Sequence, residues 1–239
     1  MEAQTPLSPS DDDLAFANPT PASRVASGPT GLPTAIRVPL TTRIFEIVVA
    51  SIALIITAPI MLWIAFVIKR GTPGPALFRQ KRLGIGAVPF NFIKFRTLYA
   101  DARERFPELY AYKYTPQEME TLRFKVENDP RVSPQGEWMR KLSIDELPNF
   151  WCVFKGDMAL VGPRPEIPEM LQYYDDEGRK KFSVRPGITG LAQISGRGRL
   201  TFRDTVAYDL EYVRRQSFLF DLYILLQTVK KVLFRDGAF

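Results

Sequence analysis

Residues Ile47–Ile68 read IVVASIALIITAPIMLWIAFVI, and none of them carries a charge. The run is about 22 residues long, close to the ~20 that a helix needs to cross bilayer hydrocarbon. Soluble helices seldom stay apolar all round for so many turns, so a membrane-embedded segment over 41–70 is expected. Pro59 divides it. A mid-helix proline removes a backbone hydrogen bond and bends the axis. Two readings follow: a kinked spanning helix, or a helix that enters the membrane, breaks at Ala58-Pro59 and returns to the same face. Arg37 and Arg43 precede the segment, and Lys69, Arg70, Arg79, Lys81 and Arg82 follow it. Basic residues mark the cytoplasmic side. Basic flanks at both ends suit the re-entrant reading, and the richer following flank places 71–239 in the cytoplasm under either.

Working outward, residues 1–40 read as a disordered tail rich in Pro, Ser and Thr, with an acidic run at Asp11–Asp13. No apolar core follows a basic start there, so it is a poor signal peptide. After the apolar segment, 71–98 carries turn signals and a short strand at Phe90–Ile93. An amphipathic helix interrupted at Pro107 and Pro116 is expected over 101–126, and a helix in two parts around Ser143 over 136–154. A further helix is expected over 166–182 and a loop over 183–198. A last helical region should run from Phe202 to Phe234. Its end, from Phe218, fits either an interfacial helix with its apolar side in lipid or a core helix ending in basic residues.

The chain of 239 residues has a net charge of +6, no histidine and one cysteine. The basic balance favours anionic partners. The missing histidine excludes Ser-His-Asp chemistry, histidine bases and histidine metal sites. Cys152 cannot form an intrachain disulfide, and its apolar neighbours Phe150, Trp151, Val153 and Phe154 mark it as buried filler. Without histidine, chemistry must rest on carboxylates, lysine, tyrosine, hydroxyls or the one cysteine, for which buried filler is the favoured reading.

Acid and base are densest between Arg131 and Arg164, which holds Arg140, Lys141, Asp145, Glu146, Lys155 and Asp157. Phosphate-handling sites need this mix, with cations for the oxygens and carboxylates for a metal or for attack. Ser143-Ile144-Asp145-Glu146 also fits a capping box, and spacing alone favours that structural role. Both readings place Asp145 and Glu146 at a helix N-terminus, where the dipole favours ionised carboxylates and free amides can hold phosphate. In Val161-Gly162-Pro163-Arg164-Pro165 two prolines fix the backbone around one guanidinium, which suits a diphosphate or an ordinary exposed loop. Gly196-Arg197-Gly198-Arg199 has similar anion-binding character.

Several pieces occur in one order: the apolar segment with Pro59; Pro73-Gly74-Pro75, then Phe78-Arg79-Gln80 and Arg82; Lys94-Phe95-Arg96-Thr97; Asp129-Pro130-Arg131; Arg140 through Pro148; Lys155-Gly156-Asp157-Met158; Val161 through Pro165; and Arg185-Pro186-Gly187-Ile188-Thr189-Gly190 followed by Gly196-Arg197. In these, from about Thr42 to Phe234, the chain resembles the bacterial sugar transferases, the monotopic polyprenyl-phosphate phosphoglycosyl transferases. Three positions depart from the family pattern: Ala58 for a serine, Glu46 for an aspartate and Leu98 for a methionine.

The resemblance implies a mainly α fold with few short strands: a re-entrant membrane helix, a compact cytoplasmic α/β catalytic domain and interfacial amphipathic helices. It implies that Asp145 attacks the β-phosphorus of a UDP-sugar, with Glu146 as acid or base. UMP leaves, and a polyprenyl (undecaprenyl) phosphate then takes the sugar phosphate from the aspartyl intermediate. Lys94, Arg140, Arg164 and Arg197 are implied near phosphates, and Mg2+ is implied between Asp145 and the diphosphate. Membrane lipid at the cytoplasmic face of the inner membrane is the further partner, with a homo-oligomer left open. A non-catalytic, membrane-anchored basic binding protein would share the charge and the amphipathic C-terminus, but it leaves the carboxylate and arginine spacing unexplained. The apolar segment argues against nucleic acid as a partner.

Overall fold

The computed structural model describes residues 33–36, 38–123, 128–196 and 199–234. Most of the expected tail (residues 1–32 and Arg37) and Arg197 fall outside the described residues. The apolar segment forms one long helix, α1 (Leu40–Gly71). It is long and apolar enough to cross a membrane. Helical structure continues through Pro59, which has no N–H to give to the carbonyl one turn back. The hydroxyls of Ser51 and Thr57 donate to the carbonyls of Ile47 and Ala53, at 2.7 and 2.6 Å, so neither is left unsatisfied.

Both ends of α1 are seated on the rest of the protein. Near its start, Ala50 is buried beside Cys152 and Val153. Arg43 donates to the carbonyls of Val153 and Phe154, each at 2.7 Å. The Glu46 carboxylate accepts from Arg185 at 2.6 Å, and both side chains are buried or nearly so. Near its end, Ile64 and Ile68 are buried in a cluster with Phe95 and Met139. Arg96 then ties the exit of the helix down, donating to the Thr72 carbonyl and hydroxyl at 3.1 and 3.0 Å. Between these seats Ile52, Ile55, Ile56, Leu62 and Trp63 are exposed.

The remainder is mainly helical with few strands, as the sequence led us to expect. β1 (Leu77–Leu83) and β2 (Pro89–Phe95) pair antiparallel, with Leu83 opposite Pro89. Gly86 turns between them at φ +64, a left-handed value that glycine adopts freely. The helix expected over 101–126 is cut at its prolines into α2 (Ala102–Arg105), a 3-10 turn and α3 (Pro116–Thr121). α4 (Pro134–Leu142) and α5 (Asn149–Lys155) flank Ser143. β3 (Ala159–Val161) and β4 (Gly187–Thr189) pair in parallel. α6 (Leu191–Gly196), α7 (Phe202–Arg215) and α8 (Phe218–Leu233) complete the chain.

Four expectations need correction. Residues 166–182 hold 3-10 turns instead of an α-helix, because Pro168 starts one turn and the Asp175 carboxylate captures the Gly178 amide at 2.7 Å. The stretch 183–198 contains β4 and α6 as well as loop. The last helical region is two helices, since Ser217 caps α8 through the Phe220 amide. No capping box forms at Ser143, whose side chain makes no capping bond to the turn that follows.

Glu46→Ala leaves the Arg185 guanidinium buried without its carboxylate. A loss of roughly 3 kcal/mol is expected, because stranding one partner of a buried pair costs far more than an exposed pair is worth. Thermal unfolding of the detergent-solubilised chain measures it, and an unchanged midpoint would remove the ion pair from any role in seating α1.

Candidate active site

The site begins with a reversal of the chain after α4. Ser133 caps the helix by accepting the Gly136 amide at 3.1 Å, and Pro134 occupies its first turn. Gly136 allows close packing, since a Cβ there would sit 2.0 Å from the Thr97 carbonyl oxygen. At the far end Ser143 is left-handed, at φ 57 and ψ 22, and this C-cap turns the backbone sharply. One 3-10 turn, Ile144–Glu146, follows. Ile144 packs inward beside Phe95 and Met139. Asp145 and Glu146 share this turn, which precedes α5.

Cations come from three other segments. Arg164 stands on the loop after β3 and donates to the Glu146 carboxylate at 2.6 Å. That loop is held closely: Gly187 N–H donates to the Pro163 carbonyl at 2.9 Å, and Leu83 N–H to the Glu166 carbonyl at 2.7 Å. The Glu166 side chain is buried 3.4 Å from Lys181, which also meets buried Asp209 at 2.7 Å. Arg140, at the end of α4, donates to the Thr97 hydroxyl at 3.1 Å and lies 3.7 Å from Asp129. Asp129 is itself clamped by Arg131 at 2.8 and 2.9 Å. Lys94 lies on β2 with its ammonium over the Phe78 ring.

These groups feel one another. Asp145 is only 7 % exposed. Burial, and then the neighbouring Glu146 charge, push its carboxyl up to about 6 against the pull of Lys94, Arg164 and Arg140. Burial would raise Glu146 as well, but Arg164, Lys94 and Arg82 together hold it below the ordinary carboxylate range. Burial brings Lys94 down to about 8, with the two carboxylates opposing. Arg164 is held above its ordinary value by Glu146. The pair Asp145 and Glu146 therefore divides into one carboxyl poised near neutrality and one firmly ionised, a division typical of reactive sites.

Of the expected phosphate-binding residues, the structure brings Lys94, Arg140 and Arg164 near Asp145 and Glu146; Arg197 is outside the described residues. Arg82 joins them without having been singled out for the site. It donates to the Pro165 carbonyl at 2.9 Å, and its guanidinium lies over the Phe92 ring. A signal for it existed. Phe78 pairs with Lys94 in the hairpin, and alternation puts Gln80 and Arg82 on the same face. Among the described residues no three acidic or cysteine side chains cluster to cage a metal. Asp145 forms no ion pair among them. One or two carboxylates without a closed cage is the donor set of a magnesium ion shared with substrate phosphates, so these residues fit such an ion.

A helix long and apolar enough to enter a membrane is thus seated on a mixed α/β body that carries a carboxylate pair among fixed cations. The chain belongs to the bacterial sugar transferase family, whose profile matches residues 38–235. It is 38% identical over 197 residues to the undecaprenyl-phosphate galactose phosphotransferase of Salmonella typhimurium, covering 82% of this chain and 41% of that one. It is 36% identical over 199 residues to the exopolysaccharide production protein ExoY of Rhizobium meliloti, covering 82% and 87%. It is 37% identical over 212 residues to the UDP-glucose:undecaprenyl-phosphate glucose-1-phosphate transferase of Caulobacter vibrioides, covering 85% and 74%. The chain spans about two fifths of the length of several curated relatives it matches.

The raised Asp145 carboxyl carries a stability signature. Its folded pKa of about 6 exceeds the ordinary 3.8, so the folded state binds the proton more tightly and stability falls as pH rises from 4 to 6. Asp145→Asn removes this dependence. The variant should be more stable than the parent above pH 6, by up to ~3 kcal/mol, with the difference vanishing near pH 4. Thermal unfolding across that range in chelator checks it.

Proposed function

We propose that this protein transfers a sugar 1-phosphate from a UDP-sugar to undecaprenyl phosphate through a covalent aspartyl intermediate. The observation that carries the reading is a single one. Asp145 is buried, unpaired among the described residues and raised toward neutral pH, beside a Glu146–Arg164 pair that already satisfies its neighbour. The names of the Salmonella and Caulobacter relatives support the acceptor, and the Caulobacter name supports a nucleotide-sugar donor.

In the first step an Asp145 carboxylate oxygen attacks the β-phosphorus. The bond from that phosphorus to the bridging oxygen breaks, and UMP leaves with the electron pair. In the second step an oxygen of the lipid phosphate attacks the same phosphorus. The aspartyl–phosphorus bond breaks, Asp145 is regenerated and the lipid carries a diphosphate-linked sugar. A carboxyl with a pKa of about 6 is more basic than an ordinary aspartate yet still largely ionised at pH 7, which suits nucleophilic attack. Lys94, Arg140 and Arg164 offset repulsion between this carboxylate and the anionic donor. When Arg164 turns to the diphosphate, Glu146 loses its counter-ion and its proton affinity rises, preparing it for the acid–base role. Asp145 would hold magnesium jointly with the diphosphate, and the ion would supply charge neutralisation there.

The two seats of α1 support a re-entrant membrane arrangement. Both seats lie on the same body, while exposed apolar residues run along α1 from Ile44 to Phe66, so the helix can meet lipid with both its ends held. A helix that stays helical but bends at Pro59, dipping into one leaflet and bringing both ends to one surface, would satisfy this, with 71–239 as the catalytic domain at the cytoplasmic face. The exposed apolar residues Leu219, Leu226 and Val229 of α8 support an interfacial helix lying on the same surface.

The test uses donor labelled in its β-phosphate, without acceptor. Label should appear on Asp145 with release of one UMP. Asp145→Asn should take up none and lose turnover by at least about a thousandfold. A strict requirement for both substrates before any UMP release would sink the two-step reaction. The pH profile of kcat/KM should rise through about 6 as Asp145 ionises and fall through about 8 as Lys94 loses its proton.

A further inference from the structure

One exposed apolar feature leads away from the membrane helix toward the carboxylates. Ile60 and Trp63, both after Pro59, stand three residues apart on one helical face, and both are exposed. That face borders the seated one formed by Ile64 and Ile68. Trp63 meets Trp138 of α4 with ring centroids 6.0 Å apart. Trp138 and Leu142 stand one turn apart on α4, and Leu142 is 47 % exposed. Ser143 and Ile144 then lead directly to Asp145. The stripe is apolar from Ile60 to Leu142, which lies three residues before Asp145, and Asp145 feels the charges of Lys94 and Arg140.

We propose that Trp63, Trp138 and Leu142, continued by Ile60, bind the isoprenoid chain of the lipid phosphate acceptor. This rests on the acceptor reading given above and adds the chain-binding residues to it. The charge pattern argues for this occupant. A long apolar ligand with one anionic end matches a long apolar stripe with cations at one end only. Continuity argues the same way, because the stripe starts on the part of α1 that would lie in lipid. A chain laid along it delivers its phosphate beside Asp145 without leaving an apolar surface. The two indoles bridge the place where α1 and α4 would otherwise part, and indole rings suit the boundary between lipid and water.

The test compares two acceptors on the full chain in detergent: undecaprenyl phosphate, and a polyprenyl phosphate only a few isoprene units long. UMP release gives kcat/KM for each, in the parent and in Trp63→Ser and Leu142→Ser. Both side chains are about half exposed or more, at 55 % and 47 %, so their loss leaves the core intact. The ratio of long-chain to short-chain kcat/KM should fall about tenfold in each variant, the equivalent of roughly two buried methylene groups. A general loss of folding lowers both acceptors together and leaves that ratio where it was. An unchanged ratio overturns the proposal and leaves the reaction standing. If the parent transfers to neither acceptor, the reaction itself is wrong and the isoprenoid site falls with it.

Discussion

Two adjacent carboxylates shielded from water cannot both stay charged unless cations are fixed nearby, and the architecture around Asp145 and Glu146 answers that constraint. Arg164 neutralises Glu146 directly, at 2.6 Å. Asp145 receives only the more distant pull of several cations, so it keeps a raised proton affinity. The asymmetry depends on where Arg164 stands, and that position depends on backbone. The loop bearing it is hydrogen-bonded to β1 on one side and to the start of β4 on the other. Glycines at 162 and 187 make this possible. A Cβ on Gly187 would fall 2.1 Å from the Gly162 nitrogen. Close backbone approach, electrostatic division and chemistry are thus links of one chain.

Strand β2 and its continuation join the apolar helix to the same carboxylate pair. Lys94 reaches the carboxylates, Phe95 enters the core beneath α1, Arg96 holds the exit of α1, and Thr97 orients Arg140. Four consecutive residues therefore serve helix anchoring and cation placement together. The Glu46–Arg185 pair performs the equivalent task at the other end of α1. In the proposed reaction this matters because a lipid acceptor arrives from the surface that α1 inhabits. The distance between that surface and Asp145 is then set by side chains, not by a flexible linker.

Much of this was legible in the residues themselves. Charge-free length revealed α1, and prolines marked the cuts at 107 and 116. The order of motifs pointed to Lys94, Arg140, Asp145, Glu146 and Arg164. What escaped the reading depended on partners distant in sequence. The mixed charges of 166–182 imitate an amphipathic helix, yet Lys181 is buried against Asp209 and Glu166, and its segment bends into 3-10 turns to get there. Ser143 precedes Glu146 by the three residues of a capping box, but helix α4 claims that serine as its left-handed terminus. Arg82 became part of the site only through pairing of β1 with β2. Local pattern cannot report such competition between neighbouring elements.

Cys152 has a practical consequence. It is the only cysteine in the chain, it is fully buried under α1, and burial pushes its thiol up to about 11. A thiol so shielded and so weakly acidic is inert toward maleimides at neutral pH. The natural chain is therefore its own silent background for site-directed labelling. A cysteine introduced along α1 or α8 would carry the sole reactive sulfur, and spin labels or fluorophores there could gauge immersion depth in vesicles residue by residue.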